Sequence, residues 1–303
     1  KPSILICIYI IAFLTGIARA FSGPTSFALV SMLVPKEELP NATSWHSSSW
    51  QIAAVTGPAI GGLLYGEKGI TFAFAIMIVM LSTSVLVLFL IKPKPPVVLL
   101  NREPMLKSIQ EGFKFVWQSK DILGVLSLDL FAVFFGGATA LLPYFSDQIL
   151  NTGAEGLGIL RSAPGIGAIM VMLVINFLPM RKNQGKIMLF CVAGFGLSMI
   201  VFGLSTFFWL SFSALLLSGV LDGISVIVRS TVLQLKTPEA MKGRVSSLNS
   251  IFIISSNELG AFESGFASRL MGVIPSVVFG GLMTIGIVAF NWIKNPTIKK
   301  LNY

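Results

Sequence analysis

The sequence predicts an all-α membrane protein, and three observations carry that prediction. Hydrophobic residues make up 54% of the 303 residues, charged residues make up only 12%, and the mean hydropathy is +0.84. This leaves too little polar surface to cover a water-soluble globule of that length. Apolar stretches long enough to cross about 30 Å of hydrocarbon recur along the chain. Two distant segments also match each other, which indicates an internal duplication.

The apolar stretches predict nine transmembrane helices. None shows the alternation of apolar and polar residues that is typical of a strand, and Gly- and Pro-containing runs are ordinary in membrane helices. The predicted spans cover residues 3–34, 42–65, 70–91, 122–150, 157–179, 187–204, 207–235, 245–268 and 273–293.

The longest break in hydrophobicity lies between the third and fourth spans. It begins with Pro93, Pro95 and Pro96 and continues into residues 108–117, whose apolar side chains fall at helical spacing. We interpret it as a cytoplasmic linker whose amphipathic helix lies at the membrane surface. The predicted domains are a partial N-terminal bundle of three spans (1–92), the linker (93–120) and a C-terminal six-helix bundle (121–303).

The two repeated segments each cover the second half of a predicted helix and the turn that follows it. The first runs from Gly16, inside its helix, to the turn at Pro35, and the second runs from Gly219 to Pro238, each 203 residues further along the chain. Many secondary transporters build a substrate site at the bilayer midplane between two such halves. Since two like halves would hold six spans each, we expect the first three helices of a twelve-helix protein to be missing from this chain.

Basic residues predict the orientation of the spans. If the first span ends in the cytoplasm, sixteen Lys and Arg residues lie in loops on that side, against Lys68 and Arg269 on the other. This satisfies the positive-inside rule. The net charge of +9 therefore reflects loops beside anionic lipid. Nucleic-acid binding is disfavoured because the basic residues are scattered over short loops.

Two motifs resemble those of the major facilitator superfamily, in its drug-efflux and enterobactin-exporter-like branch of bacterial inner-membrane proteins. Residues 56–62 (Thr-Gly-Pro-Ala-Ile-Gly-Gly) are similar to its antiporter motif, although Ala53 stands where the motif has an upstream glycine. Residues 233–244 are similar to its loop between helices ten and eleven. The resemblance implies helices four to twelve of a twelve-helix fold, in a multi-pass protein of the inner membrane.

The resemblance also implies roles for two groups of residues. The antiporter motif is implied to seal the closed side between the two halves, whereas simple helix packing is the alternative, since small residues let helices approach closely. Its residues are Gly57, Pro58, Gly61 and Gly62. A degenerate copy of the cytoplasmic loop motif, which lacks its Asp, contains Arg181, Lys182, Gly185 and Lys186. The loop that resembles the one between helices ten and eleven contains Pro238, Gly243 and Arg244.

Charged residues inside the predicted spans are candidate coupling groups. An ionisable side chain at mid-depth costs about 2.5–3.5 kcal/mol on insertion scales, so it normally faces a cavity or a partner. The repeat makes Arg19 and Asp222 equivalent positions of opposite charge. We expect them to face each other across a central cavity, as a proton-coupled switch or as a static ion pair.

Three further charged residues are candidates. Arg229 returns to nearly the same helix face as Asp222, seven residues on, where it either draws anionic substrates inward or pairs with phosphate headgroups. Glu258 is the second candidate proton carrier because of its mid-depth position, and Asp129 is the third.

The sequence therefore predicts a secondary transporter that exports small amphipathic molecules by alternating access, coupled to proton antiport. Uptake remains open as an alternative, as does a non-transporting scaffold or receptor with a transporter-like fold. We expect no enzymatic activity, cofactor, metal site or nucleic-acid partner, because the chain has one histidine and no G-x-x-x-x-G-K-[ST] loop. The expected partners are a small-molecule substrate, protons and the lipid bilayer, with the protein as a monomer.

Overall fold

The structure, a computed structural model, describes residues 2–35, 37–91, 105–175, 183–294 and 296–299. Within these ranges the chain is helical and contains no strand. The helices are α1 (Pro2–Leu33), α2 (Leu39–Lys68), α3 (Ile70–Phe89), α4 (Met105–Gln118), α5 (Lys120–Gly136), α6 (Leu142–Tyr144), α7 (Gly153–Ile175), α8 (Gln184–Leu204), α9 (Phe208–Lys236), α10 (Lys242–Met271), α11 (Val273–Lys294) and α12 (Pro296–Lys299).

Six segments of the described chain are long and apolar enough to cross a membrane. They are Ile70–Phe89, Lys120–Ile149, Gly153–Val174, Gln184–Leu204, Phe208–Lys236 and Val273–Lys294. The other three predicted spans fall on α1, α2 and α10. In α1 the apolar stretch is Leu5–Arg19, which is shorter than these six segments, and α10 carries seven serines. The count of nine spans therefore stays a prediction.

The described chain divides into two compact units. One combines Lys1–Ala53 with Leu86–Val97, and the other combines Ala54–Val85 with Val98–Tyr303. In the first unit, Ser26 on α1 and His46 on α2 share a hydrogen bond of 2.9 Å between Oγ and Nε2. The predicted domain boundaries at residues 92 and 120 stay a prediction.

The second unit is held together by close helix pairs. A Cβ added to Gly196 on α8 would lie 2.8 Å from the carbonyl oxygen of Gly281 on α11, and one added to Gly281 would lie 2.6 Å from that of Gly196. Larger residues at either position would push the backbones apart, so glycine permits the approach. Around this pair, two clusters of buried apolar side chains fill the interior, one centred on Val192 and Val228 and the other on Phe145 and Phe202.

The span Lys120–Ile149 is broken rather than continuous. The sequence predicts a single helix over 122–150, but α5 ends at Gly136 and the chain continues through a 3₁₀ turn (Thr139–Leu141), α6 and a π-helical turn (Phe145–Ile149). The carbonyl of Gly137 accepts a hydrogen bond of 2.8 Å from the Ser264 hydroxyl on α10. A neighbouring helix therefore satisfies a backbone group that the break exposes.

Helix α4 occupies the second half of the predicted linker and packs against protein along one face. Val116 is 2% exposed and lies in a cluster with Ile122, Leu126, Val245 and Leu248, from α5 and α10. The predicted helix at the membrane surface is thus attached to the bundle through that face.

Candidate functional site

A buried ion pair joins two helices of the second unit. The carboxylate of Asp129 on α5 contacts the guanidinium of Arg229 on α9. The two residues are 6% and 3% exposed. A charge buried in this way is tolerated when an opposite charge neutralises it. Arg229 therefore contacts a protein carboxylate in this structure, and its two proposed roles, as an attractor of anionic substrates or a partner of phosphate headgroups, stay predictions.

A small pocket opens beside this ion pair, with room for about one water molecule. Its polar lining comes from Asp129, Asp222 and Ser225. The remaining lining residues are Ala132, Val133, Cys191, Val192, Phe195 and Leu221, so that α5, α8 and α9 all contribute. The site places two carboxylates around one cavity, in surroundings that are otherwise apolar.

The local sequence of α9 explains why these groups meet. Asp222, Ser225 and Arg229 are separated by three and four residues, which puts them on one face of the helix. Gly223 and Gly219 on the same helix permit close contact with α7, where Ala168 and Pro164 are their neighbours. The contact with α7 lies about 100° around α9 from the polar face, which faces the pocket shared with α5 and α8.

The structure therefore brings together Asp222, Asp129 and Arg229 of the five predicted coupling residues. Glu258 lies on α10 with an exposed side chain and does not line this pocket. Arg19 lies on α1 in the other compact unit, also with an exposed side chain. Its placement opposite Asp222 stays a prediction.

Two features of the site escaped the sequence analysis. The pairing of Asp129 with Arg229 joins positions one hundred residues apart, and no local pattern connects them. Ser225 could have been found, since it stands three residues after Asp222 and four before Arg229 on a helical wheel.

Among the described residues, no group of three or more His, Cys, Asp or Glu side chains is placed to hold a metal ion.

The antiporter-like motif packs one of its faces against α7. A Cβ added to Gly62 would lie 2.7 Å from both the carbonyl oxygen of Ala154 and the Cα of Gly158, and one added to Gly158 would lie 2.6 Å from the carbonyl oxygen of Pro58. The other two motif glycines, Gly57 and Gly61, have nothing within 4 Å of an added Cβ. The close seam therefore involves Pro58 and Gly62, with Gly57 and Gly61 turned away from it.

The seam continues beyond the motif in both directions. Val55 lies against Gly165, and Glu155 lies against Gly66. Positions 55, 58, 62 and 66 form a single stripe along α2, and their contacts on α7 run in the opposite chain direction. The two helices are thus antiparallel along about three turns.

The predicted loop residues are placed in different surroundings. Arg181 and Lys182 lie outside the described residues, whereas Gly185 is buried and Lys186 exposed in the first turn of α8. Pro238 precedes a 3₁₀ turn, and Gly243 is exposed at the start of α10. Arg244 contacts Glu111 on α4.

A comparison with family models decides which family the chain is part of. The model described as "Transmembrane secretion effector" matches residues 2–303. The chain belongs to this family of the major facilitator superfamily.

Curated relatives are similar to the chain along most of its length. Three proteins named "Enterobactin exporter EntS", from Shigella boydii serotype 18, Shigella boydii serotype 4 and Escherichia coli O1:K1, are each 28% identical to it over 290 residues. The match covers 95% of the chain and 69% of each relative.

Family membership confirms several predictions. The resemblance to the exporter-like branch of the superfamily is confirmed, and the chain is a multi-pass inner-membrane protein of an efflux-transporter family. A small-molecule substrate and a lipid environment follow from that membership. The all-helical fold agrees with it.

Proposed function

We propose that the protein exports a small amphipathic molecule across the inner membrane by alternating access, driven by proton antiport. Export is supported by the similarity to proteins named as exporters. Proton coupling is supported by one observation above all, the pocket that Asp129 and Asp222 share beside Arg229.

The charges of the pocket suggest which carboxylate exchanges protons. Two carboxylates and one guanidinium leave one negative charge in excess. Arg229 contacts Asp129, so the excess charge falls on Asp222. A proton on Asp222 would neutralise the pocket without breaking the ion pair. Asp222 is therefore the proposed proton carrier, and Asp129 holds Arg229 in place.

The coupling step follows from that charge balance. When Asp222 is protonated the pocket is neutral, and this state tolerates closure of the surrounding helices. When the proton leaves, the negative pocket requires a cation, which a substrate or Arg19 would provide. Arg19 enters the proposal from the sequence repeat alone. Since one ligand is favoured in each protonation state, proton and substrate move in opposite directions.

The seam between α2 and α7 is the proposed gate. Its helices meet through the Pro58 carbonyl and the backbone of Gly62, Ala154 and Gly158, with few side chains between them. Such a surface packs tightly when closed and separates without unlocking interdigitated side chains. We propose that it forms and separates as the transporter changes its open side.

The test measures proton movement by the full-length protein in sealed vesicles. Hydrophobic cations, macrolides and catecholate siderophores are added in turn, and substrate-dependent proton release is recorded with a pH-sensitive dye. Asp222→Asn is expected to abolish the release. Asp121→Asn is the matched control, because Asp121 lies at the start of α5 and pairs with Lys236 at the surface, 3.3 Å away.

The outcomes separate the candidate functions. Substrate-dependent release that persists in Asp222→Asn would contradict the assignment of the proton carrier. Inward movement of substrate along with protons would indicate uptake. Binding of a compound without any flux of compound or protons would indicate the scaffold or receptor alternative.

A further inference from the structure

Helix α4 is fixed to the membrane-spanning bundle by one of its faces. The Glu111 carboxylate contacts the Arg244 guanidinium in the first turn of α10. An added Cβ on Gly112 would lie 3.2 Å from the side chains of Arg244 and Leu248. Together with buried Val116, these contacts fix the rotation of α4 about its axis.

The same contacts fix its depth. The helix ends at Gln118, and α5, which begins the Lys120–Ile149 span, starts two residues later. Val116 packs against Ile122 and Leu126, in the first two turns of that span. Helix α4 therefore lies beside the beginning of that span, the level at which a membrane-spanning segment is expected to meet the headgroups.

A second apolar face of α4 is exposed. Ile109, Phe113 and Trp117 are 43%, 48% and 64% exposed and stand four residues apart, so that they form one stripe. The rings of Phe113 and Trp117 stack with their centroids 5.7 Å apart. Aromatic side chains of this kind, with Trp above all, are enriched where membrane proteins cross the headgroup region.

The charges on α4 are biased toward one sign. Of its three charged residues, Glu111 forms an ion pair with Arg244, whereas Lys107 and Lys114 are exposed. At about 100° of rotation per residue, Lys114 lies about 100° around the helix from Phe113. The two lysines therefore lie beside the aromatic stripe. The apolar stem of a lysine can lie along the interface while its ammonium group reaches the headgroups.

We propose that the exposed face of α4 is a binding surface for anionic phospholipid. Ile109, Phe113 and Trp117 insert among the upper acyl chains, and Lys107 and Lys114 contact the headgroup phosphates. The pairing of an aromatic stripe with lysines, on a helix held at this depth, fits a negatively charged membrane surface. The ion pair between Glu111 and Arg244 connects this surface to α10.

Quenching of Trp117 fluorescence by brominated lipid tests the proposal. In the full-length protein, every tryptophan other than Trp117 is replaced by Phe, with Trp45, Trp50, Trp209 and Trp292 among them, and the protein is reconstituted into phosphatidylcholine vesicles. A small fraction of brominated phosphatidylglycerol or brominated phosphatidylcholine is then added. We expect phosphatidylglycerol to quench Trp117 several-fold more effectively at equal mole fraction. Each lysine contributes about a fivefold preference, so Lys107→Gln with Lys114→Gln should abolish it.

A second single-tryptophan protein provides the control. Trp209, which is 60% exposed in the first turn of α9, lies at the opposite end of that helix from Lys236, which pairs with Asp121 near α4. It should be quenched equally by both brominated lipids and should not respond to the lysine substitutions, which shows that the fold is intact. Equal quenching of Trp117 by both lipids, or no quenching, would overturn the proposal. Neither outcome depends on whether the protein transports anything.

Discussion

The carboxylate of Asp129 on α5 pairs with the guanidinium of Arg229 on α9, and both side chains are buried within the helical bundle. The pair leaves Asp222, on the same face of α9 as Arg229, as the other carboxylate of their shared pocket. A fixed charge pair thus stands beside a second acidic group, and the two carboxylates have different surroundings. This difference underlies the assignment of separate roles to them.

Removal of one member of the pair should destabilise the protein. Asp129→Asn would leave the Arg229 charge buried without its counter-ion, which costs about 3–5 kcal/mol in buried pairs. We expect a large fall in the midpoint of thermal unfolding in detergent. The double variant Asp129→Asn with Arg229→Gln should recover much of that loss.

The control for these substitutions is the ion pair between Asp121 and Lys236. Its side chains are 28% and 46% exposed, and surface pairs contribute about 0–1 kcal/mol. Asp121→Asn should therefore change the midpoint little. Equal effects of the two Asp→Asn substitutions on the unfolding midpoint, or no recovery in the double variant, would contradict the prediction. Burial of the Asp129–Arg229 pair would then not account for its contribution to stability.

The ion pair between Glu111 and Arg244 should restrain α4. Its side chains are 39% and 25% exposed, so the interaction is partly screened by water and salt. We expect Glu111→Gln to speed amide hydrogen exchange in residues 105–118 about fivefold, with a smaller effect at high salt, where the pair is already weakened.

Glu239→Gln is the matched control for that measurement. Glu239 pairs with Lys242 three residues away, within one turn, and does not reach α4. Its substitution should leave the exchange of α4 unchanged. An equal acceleration in both variants would mean that loss of negative charge near α10, rather than loss of the contact to α4, is responsible.

The break after α5 should depend on a hydroxyl from α10. Ser264 donates a hydrogen bond to the carbonyl of Gly137, and the residue is buried, so Ser264→Ala would leave that acceptor without this donor. We expect a loss of about 1 kcal/mol in unfolding free energy. Ser268→Ala is the control, since its hydroxyl bonds to Gly265 within α10. A loss no greater in Ser264→Ala than in the control would show that the break does not rely on the bond.

The sequence was sufficient for the positions of most helices and for the candidates of the site. Long apolar runs must form helices in a bilayer, because every backbone group needs a partner there. A charge in such a run is costly, which is why Asp129, Asp222 and Arg229 stood out. Which of them pair depends on how α5 and α9 pack, and that information is spread over many distant residues.

Other features required the structure for related reasons. The end of α5 at Gly136 was not predicted, since the apolar run continues through the break. The contact of Arg244 with Glu111 joins residues 133 positions apart. In the antiporter-like motif, the sequence does not distinguish the four small or helix-bending residues. The packing of α2 on α7 does, because Pro58 and Gly62 lie in the contact whereas Gly57 and Gly61 lie outside it.

That separation yields a matched pair of substitutions within the motif. Gly62→Ala would place a Cβ 2.7 Å from backbone atoms of Ala154 and Gly158, so the two helices must move apart. Gly61→Ala, the neighbouring substitution, would meet nothing within 4 Å. We expect Gly62→Ala to reduce transport at least tenfold, as a backbone displacement costing about 1.4 kcal/mol or more would do. Gly61→Ala should retain transport.

Cross-linking distinguishes a gate from simple packing. Cysteines introduced at Val55 and Gly165, in a background without Cys7 and Cys191, lie in contact across the seam. If the seam opens and closes, the rate of disulfide formation should differ between transporter supplied with substrate and transporter without it, and the closed cross-link should stop transport until it is reduced. An unchanged rate, with transport continuing in the cross-linked protein, would show that the seam stays closed throughout the cycle and serves only to pack α2 on α7.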